Sequence, residues 1–556
     1  MQDTGRFIRT VVQLKPSQIA HRVRLRAQKV AFARGGEWLG RYIARPVPGS
    51  WGWPQGFVPL DAAGTQDSPS AVANTDGVFR FLAETRTLGS PADWQQLGAA
   101  QLWRYHLHYF EWAWALARHD DRPWARHQFE RLFRSWKLRT RFGQWDAWSP
   151  YVVAVRTWAL CGLHGSLVGN AEWEPDFAED LALHAGFVAA NLELDVGGNH
   201  LMKDIKAMIG VGVWLRDEAL VTRGMELLRK QIGIQVLGDG GHFERSPSYH
   251  AQVLGDLIDI AGLLDAANRP PVPGLEDVIA AMRTWLGTML GPDGAVPLLN
   301  DCTAIPPERL AALGVTQPPA QTLTVLEASG YVVARVGRWH IVADVGLPCP
   351  RELPAHAHAD TLSFVAWLDD EAVVLDTGTS EYGAGPRREY ERSTAAHNTI
   401  ELDGMDSTEV WGGFRAGRRA RPALASTSVS AGGETMITAS HDGYRHLRGR
   451  PIHRRTWRIA ADGIDVIDEV TGSGRHFAVA RLHSRLDRVT ARAKGAVATT
   501  VKPGETPTGV VARDFGVLEP VACVEMATDG ELPLRLHTMI RAACGESHDP
   551  AYDRPS

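Results

Sequence analysis

From about residue 97 to 290, apolar side chains recur three and four positions apart. Examples are QLWRYHLHYFEWAWALARHD, PYVVAVRTWALCGLHGSLVG, HLMKDIKAMIGVGVWL and YHAQVLGDLIDIAGLLDAAN, separated by short breaks rich in Gly, Pro and Asp. That period predicts serial helix pairs of similar length, as an α/α toroid or solenoid would present them. Beyond TQPPAQTL (316–323) the period falls to two, in YVVARVG, HIVADVG, LSFVAWLD, NTIELDG and RTWRIAADGIDVIDEVTG, with turns of Gly or Asp between them. This is the alternation of an antiparallel β-sandwich. Upstream, residues 45–75 are dense in Pro, Gly, Ser and Trp without a sustained period, and read as an irregular segment packed down by its tryptophans. The chain therefore divides into a basic helix with an irregular segment (1–75), a helical domain (76–315) and a β-sandwich (316–556), an α+β multidomain protein.

Composition adds limits. With 556 residues and 44% hydrophobic content there is material for two large cores. Fifty-nine basic against 64 acidic residues give no global argument for nucleic acid or a membrane. One local exception lies between Arg387 and Arg458, with thirteen Arg, no Lys and eight Asp or Glu; these arginines form either a solvated sheet face or forks for acidic groups. Five scattered cysteines, never in CxxC spacing, suggest reduced thiols rather than a disulfide framework. The start of the chain has no apolar core of a secretion signal, and no later run is long enough to span a membrane, so the expected location is the cytoplasm. Residues 16–34 read as a basic helix, either simply solvated or touching a membrane or partner.

Candidate chemistry concentrates at four places. Gly197-Gly198-Asn199-His200 opens one predicted helix, and DGGHFERSPSYH (239–250) leads into another, so both sites combine polar groups with free helix N–H donors. As caps alone, Asn199, Ser246 and Ser248 would explain much of this. Further on, His356-Ala-His358-Ala-Asp360 would place both imidazoles on one face if extended, and Asp376 and His397 follow in LDTGT and RSTAAHNTI. Two His and one Asp suit zinc, although this spacing is also compatible with a hydrogen-bonded polar cluster. Trp145 and Trp148, in RFGQWDAWSP, are the tryptophans placed best to stack on a sugar ring.

The segments GGNHLMKDIKAMIG, DGGHFERSPSYHAQVL and HAHADTLSFVAW, followed by LDTGT, RSTAAHNTI and WGGFRAGRRA, resemble the heparinase II/III family of polysaccharide lyases from about residue 95 to 480. The resemblance implies an α/α toroid followed by a β-sandwich with the substrate cleft between them. It implies that Asn199 neutralises a uronate carboxylate, that Tyr249 serves as base and acid, and that His356 lies across the cleft, with His200 beside them. It also implies a zinc ion held by His358, Asp376 and His397, expected to be structural. Chemistry agrees: removing the C5 proton builds charge on the carboxylate, which donors must already neutralise, and a tyrosine base needs neighbours that lower its pKa. His242, Arg245 and Arg392 are further candidates for holding the acidic poly- or oligosaccharide. Gly198 stands where the family often has a second Asn, so one substrate contact is expected to be missing. A uronate C5-epimerase needs the same groups, a non-catalytic glycan-binding protein would keep the fold, and a glycoside hydrolase would need a carboxylate pair such as Asp239 and Glu244. Oligomeric state is not fixed by these patterns.

Overall fold

Residues 2–63 and 77–543 are described by the computed structural model; part of the irregular segment (64–76) and Cys544 lie outside them. Helices occupy the first half and antiparallel strands the second. The helices Pro150–Leu167, Gly198–Leu215 and Pro247–Ala266 pack on one another in turn, while Glu174–Ala190, Glu218–Gln235 and Leu275–Met289 return along the outside. Their sequences explain the order. Gly198–Leu215 buries sixteen of its eighteen residues and has no solvent stripe, the mark of an inner helix, whereas Glu218–Gln235 buries six. Asp121 and Asp217 cap outer helices by accepting from the backbone N–H of Trp124 and Leu220. Inner charges are paired: Lys206 donates to Asp256 (2.9 Å) and Asp259 (2.7 Å) on the facing helix. The irregular segment is indeed held by tryptophans, with Trp53 Nε1 donating to the Gly210 carbonyl and its ring 4.6 Å from that of Trp158.

Two antiparallel sheets of six and nine strands face each other across a second apolar core. The six-stranded sheet runs Pro422–Val429, Thr435–His441, Ile452–Ala460, Gly463–Thr471, Leu534–Ala542, Val489–Lys494. Period-two alternation sends His453, Arg455, Trp457 and Ile459 inward together. The two polar members are satisfied there, since Asp468 accepts from both His453 (2.7 Å) and Arg455 (2.7 and 2.9 Å). The arginine run is therefore not uniformly a solvated face: Arg388, Arg392 and Arg455 are among the most buried side chains of the chain.

Helices Gln2–Val11 and Pro16–Ile43 cross both layers. Arg9 pairs with Glu409 and Thr10 accepts from Trp411 on the sandwich side; Arg22 reaches Asp195 (3.2 Å) on the helical side. Gln18 donates to the carbonyls of both Asp195 (3.0 Å) and Glu352 (3.3 Å), tying the two domains together. Among the described residues no helix is long and apolar enough to cross a membrane.

Candidate active site

The seam between the domains gathers the start of Gly198–Leu215, the start of Pro247–Ala266, the turn at Asn300–Asp301 and the loops 353–363 and 376–397. Gly197 and Gly198 both have positive φ (74° and 55°), and a Cβ on Gly198 would lie 1.9 Å from Glu244 Oε1 and 2.6 Å from Leu353. The positive φ favours glycine at 198, and any side chain there would have to displace the ends of Glu244 and Leu353. The Asn199 N–H donates to Glu244 Oε1 (2.9 Å), so a carboxyl already occupies the helix N-terminus, and Asn199 Nδ2 donates to Gln252 (3.2 Å). Burial raises Glu244, only partly offset by His356 and the Asn199 N–H, and its second oxygen is buried without a partner.

His200 points Nδ1 at Glu193 (3.2 Å) and packs its ring 4.4 Å from that of Tyr151. Burial disfavours its charge, yet Glu193 and the nearby carboxylates outweigh this and raise it above the ordinary imidazole value. Tyr249 hydrogen-bonds Tyr382 hydroxyl to hydroxyl at 2.5 Å, and its ring lies 3.9 Å from that of His356. Of the three histidines that the sequence offers as neighbours of this phenol, His242, His250 and His356, only His356 packs against it. His242 and His250 bond instead to Gln235 and to the Met282 carbonyl, and burial, Tyr382 and Asp301 push the Tyr249 phenol well above its usual value. In this state Tyr249 is a protonated donor.

The segment His356–Asp360 is a turn and loop rather than a strand, yet its two imidazoles still converge. His356 Nδ1 lies 2.9 Å from Asp301 Oδ2, and His358 Nε2 lies 2.8 Å from Asp301 Oδ1. Arg388 grips the same carboxylate through both terminal nitrogens, with Nη2 at 2.7 Å. Burial alone would raise Asp301, but Arg388, His356 and His358 together hold it well below the usual carboxylate range. Each imidazole therefore spends an N–H on Asp301 and turns its other nitrogen elsewhere. His356 Nε2 faces Glu244 Oε2 at 3.7 Å.

His397 Nδ1 donates to Asp376 Oδ2 (2.9 Å), whose other oxygen accepts from the Gly378 N–H, and the His358 and His397 rings are 5.2 Å apart. His358 Nδ1, His397 Nε2 and both oxygens of Asp360 are buried without partners. Two imidazoles whose protonated nitrogens are fixed by carboxylates, leaving free lone pairs beside unpaired oxygens, fit the donor chemistry of zinc. As placed, however, no group of three or more His, Cys, Asp or Glu among the described residues could hold a metal ion.

Other candidates from the sequence have different tasks. Arg245 is buried and donates to the Ser329 carbonyl (2.9 Å), Arg392 donates to the Ala357 (3.0 Å) and Arg415 (3.2 Å) carbonyls, and His242 is fully enclosed. All three hold loops together. Trp148 is core, packed on Phe142, His184 and Phe187, while Trp145 is 36% exposed on the helical side. Asp239 accepts from Gly241 and Ser329 in a turn, apart from any paired role with Glu244. Asp301, Tyr382 and Arg388 were not singled out from the sequence. Asp301 sits in LLNDCTAIP, where no periodicity or motif marks it; Tyr382 and Arg388 lie between two recognised motifs, which is the sole sequence signal for them.

Both halves of the chain match known proteins. The sequence model described as Heparinase II/III N-terminus matches residues 79–312, and that described as Heparinase II/III-like, C-terminal, matches 318–534. FtsZ-localized protein C of Caulobacter vibrioides is 26% identical over 432 residues, covering 74% of this chain and 72% of that protein. Heparin-sulfate lyase of Bacteroides stercoris is 22% identical over 363 residues, 59% of this chain and 52% of that protein. Among solved structures, Heparinase III superposes with a TM-score of 0.73 at 14% identity, covering 95% of this chain and 94% of that one. A mutant of the heparan sulfate lyase HepC from Pedobacter heparinus gives 0.58 at 15% identity, covering 85% and 82%.

Proposed function

Because the chain belongs to the heparinase II/III-like family, we propose that it is a polysaccharide lyase cleaving a uronate-containing glycan by β-elimination. The observation that carries this reading is the joint placement of Asn199, Tyr249 and His356 at the domain seam, with Asp301 fixing the imidazole. In the reaction a base removes the C5 proton, the C5 electrons form the C4=C5 double bond, and the 4-oxygen departs with a proton from an acid. His356, its Nδ1–H hydrogen-bonded to ionised Asp301, offers Nε2 as the base. Tyr249, held protonated by burial and Tyr382, suits the donor to the leaving oxygen. This divides between two residues the roles that the motif resemblance gave to Tyr249 alone. His200, whose charge Glu193 favours, and the Asn199 amide would neutralise the carboxylate as negative charge develops on it.

Zinc belongs to the same proposal, with His358 and His397 as nitrogen ligands and oxygen from Asp376 or Asp360. When bound it would supply a fixed charge that locks the loop carrying His356. The reading is tested by near-ultraviolet absorbance during incubation with alginate, hyaluronan, heparan, chondroitin and bacterial exopolysaccharides, run beside Tyr249→Phe and His356→Ala. Absorbance that rises for the wild type and not for the variants is expected; flat traces across the panel would count against a lyase.

A second reading is favoured by one comparison, the higher identity to a protein named for localisation with FtsZ. In that reading the fold serves a non-catalytic role at the division site, and glycan binding without turnover would be its signature. Deuterium incorporation at C5 without cleavage would instead indicate an epimerase.

A further inference from the structure

The helix Pro16–Ile43 packs Phe32 against Phe142 and Phe187, yet over its first turns it leaves a row of apolar side chains in solvent. Four of its polar side chains face the protein there: Gln18 and Arg22 bond at Asp195, while Arg24 and Gln28 donate to the carbonyls of Ala190 and Leu192. Three of its apolar side chains face solvent instead, with Ile19 43%, Val23 63% and Val30 50% exposed, at spacings of four and seven that align them on one face. Past the kink at Gly36, Trp38 and Tyr42 are 72% and 81% exposed and stack on each other with centroids 6.4 Å apart. Phe7 and Ile8 in the preceding helix, and Val12 just after it, are exposed as well.

Charge says what covers this face. Between Thr4 and Gly36 there are eight Arg or Lys and no Asp or Glu, in a chain whose net charge is −5; Arg6, Arg9, Lys15 and Arg22 pair with the protein's own carboxylates and Arg24 with its carbonyls, which leaves Arg26, Lys29 and Arg34 exposed beside the apolar row. We infer that this face is a docking surface for an anionic lipid membrane, on which the N-terminal helices lie in the interface plane. An apolar stripe rimmed by cations, with Trp and Tyr at one end, matches such a surface in hydrophobicity and in sign. A second copy is the poorer occupant, because an isologous contact would set the two cationic stripes against each other. The segment also precedes both family-matched regions, so the inference is independent of the lyase reading. Since the inner side of the same helix holds Asp195 and Glu352 beside the candidate site, attachment would bring the seam close to the membrane.

Flotation of the full chain with phosphatidylcholine vesicles, and with vesicles enriched in phosphatidylglycerol, tests this. The protein is expected to float with the anionic vesicles alone. Arg26→Gln and Arg34→Gln should each weaken binding about fivefold, the effect of one charge at such a surface. Val23→Asp combined with Val30→Asp should abolish binding with an unchanged melting temperature, because both side chains are already in solvent. The inference is overturned if anionic vesicles are not bound, or if binding survives the two Asp substitutions. It is equally overturned if light scattering reveals a dimer that those substitutions dissolve.

Discussion

Asp301 accepts the Nδ1 proton of His356 at 2.9 Å, and the other oxygen of the same carboxylate takes the Nε2 proton of His358. One buried side chain thus sets the tautomers of the proposed base and of a proposed zinc ligand, and Arg388 keeps it ionised. Asp301→Asn should lower kcat by up to about four orders of magnitude, as replacing the orienting carboxylate does in Ser-His-Asp triads. It should also cost roughly 3–5 kcal/mol of stability, because Arg388 is left buried without its counter-charge. Absorbance assays and urea unfolding measure the two effects; full activity would remove Asp301 from the mechanism.

Gly198→Ala is expected to inactivate while the chain stays folded. The new methyl would meet Glu244 Oε1 and Leu353 in a left-handed backbone conformation, costing about 1–3 kcal/mol and displacing Asn199. A variant with wild-type kcat/KM would show that the position of Asn199 does not matter.

Metal content and stability should fall together. His358→Ala should lower zinc measured by mass spectrometry and lower the melting temperature. Comparing Asp360→Asn with Asp376→Asn then identifies which oxygen is the ligand and which orients His397. Purified wild type that is metal-free, stable and active would overturn the zinc proposal.

Stability should decrease on acidification from about pH 6 to 4.5. Burial lowers His106 and His250 to about 4 and His108, His184, His340 and His483 to about 3, whereas the unfolded imidazole titrates near 6.5. In that window these six bind protons only when unfolded. Glu111, raised to about 7, and Asp180 and Asp406, raised to about 6, all chiefly by burial, bind protons when folded and act in the opposite sense. His358, lowered to about 4, and Asp360, raised to about 6, add one group to each side; seven against four leaves net proton uptake on unfolding, so stability falls with pH at about 1.4 kcal/mol per unit for each excess proton. Melting temperatures across the window test the sign; a flat or rising trend toward acid would contradict it.

The sequence by itself determined the two-part architecture, because helical spacing from about residue 97 to 290 and alternation beyond 316–323 reflect burial on one side of each element, which neighbouring residues encode locally. It also brought Asn199, Tyr249, His356 and His358 to notice, since each sits in a short motif beside Gly or at i, i+2 spacing. Which partners they meet was decided only by the tertiary structure. Asp301 lies 55 residues from His356, and Tyr382 lies 133 from Tyr249. No local period can signal such contacts, because they depend on how two separately folded layers dock. Docking also reassigned Arg245 and Arg392, whose composition suggested anion binding but whose donors satisfy backbone carbonyls that the domain seam would otherwise leave buried and unpaired. The same holds for the first helix pair: its basic, apolar sequence was readable, but which face turns outward follows from the carbonyls and carboxylates that claim its polar side.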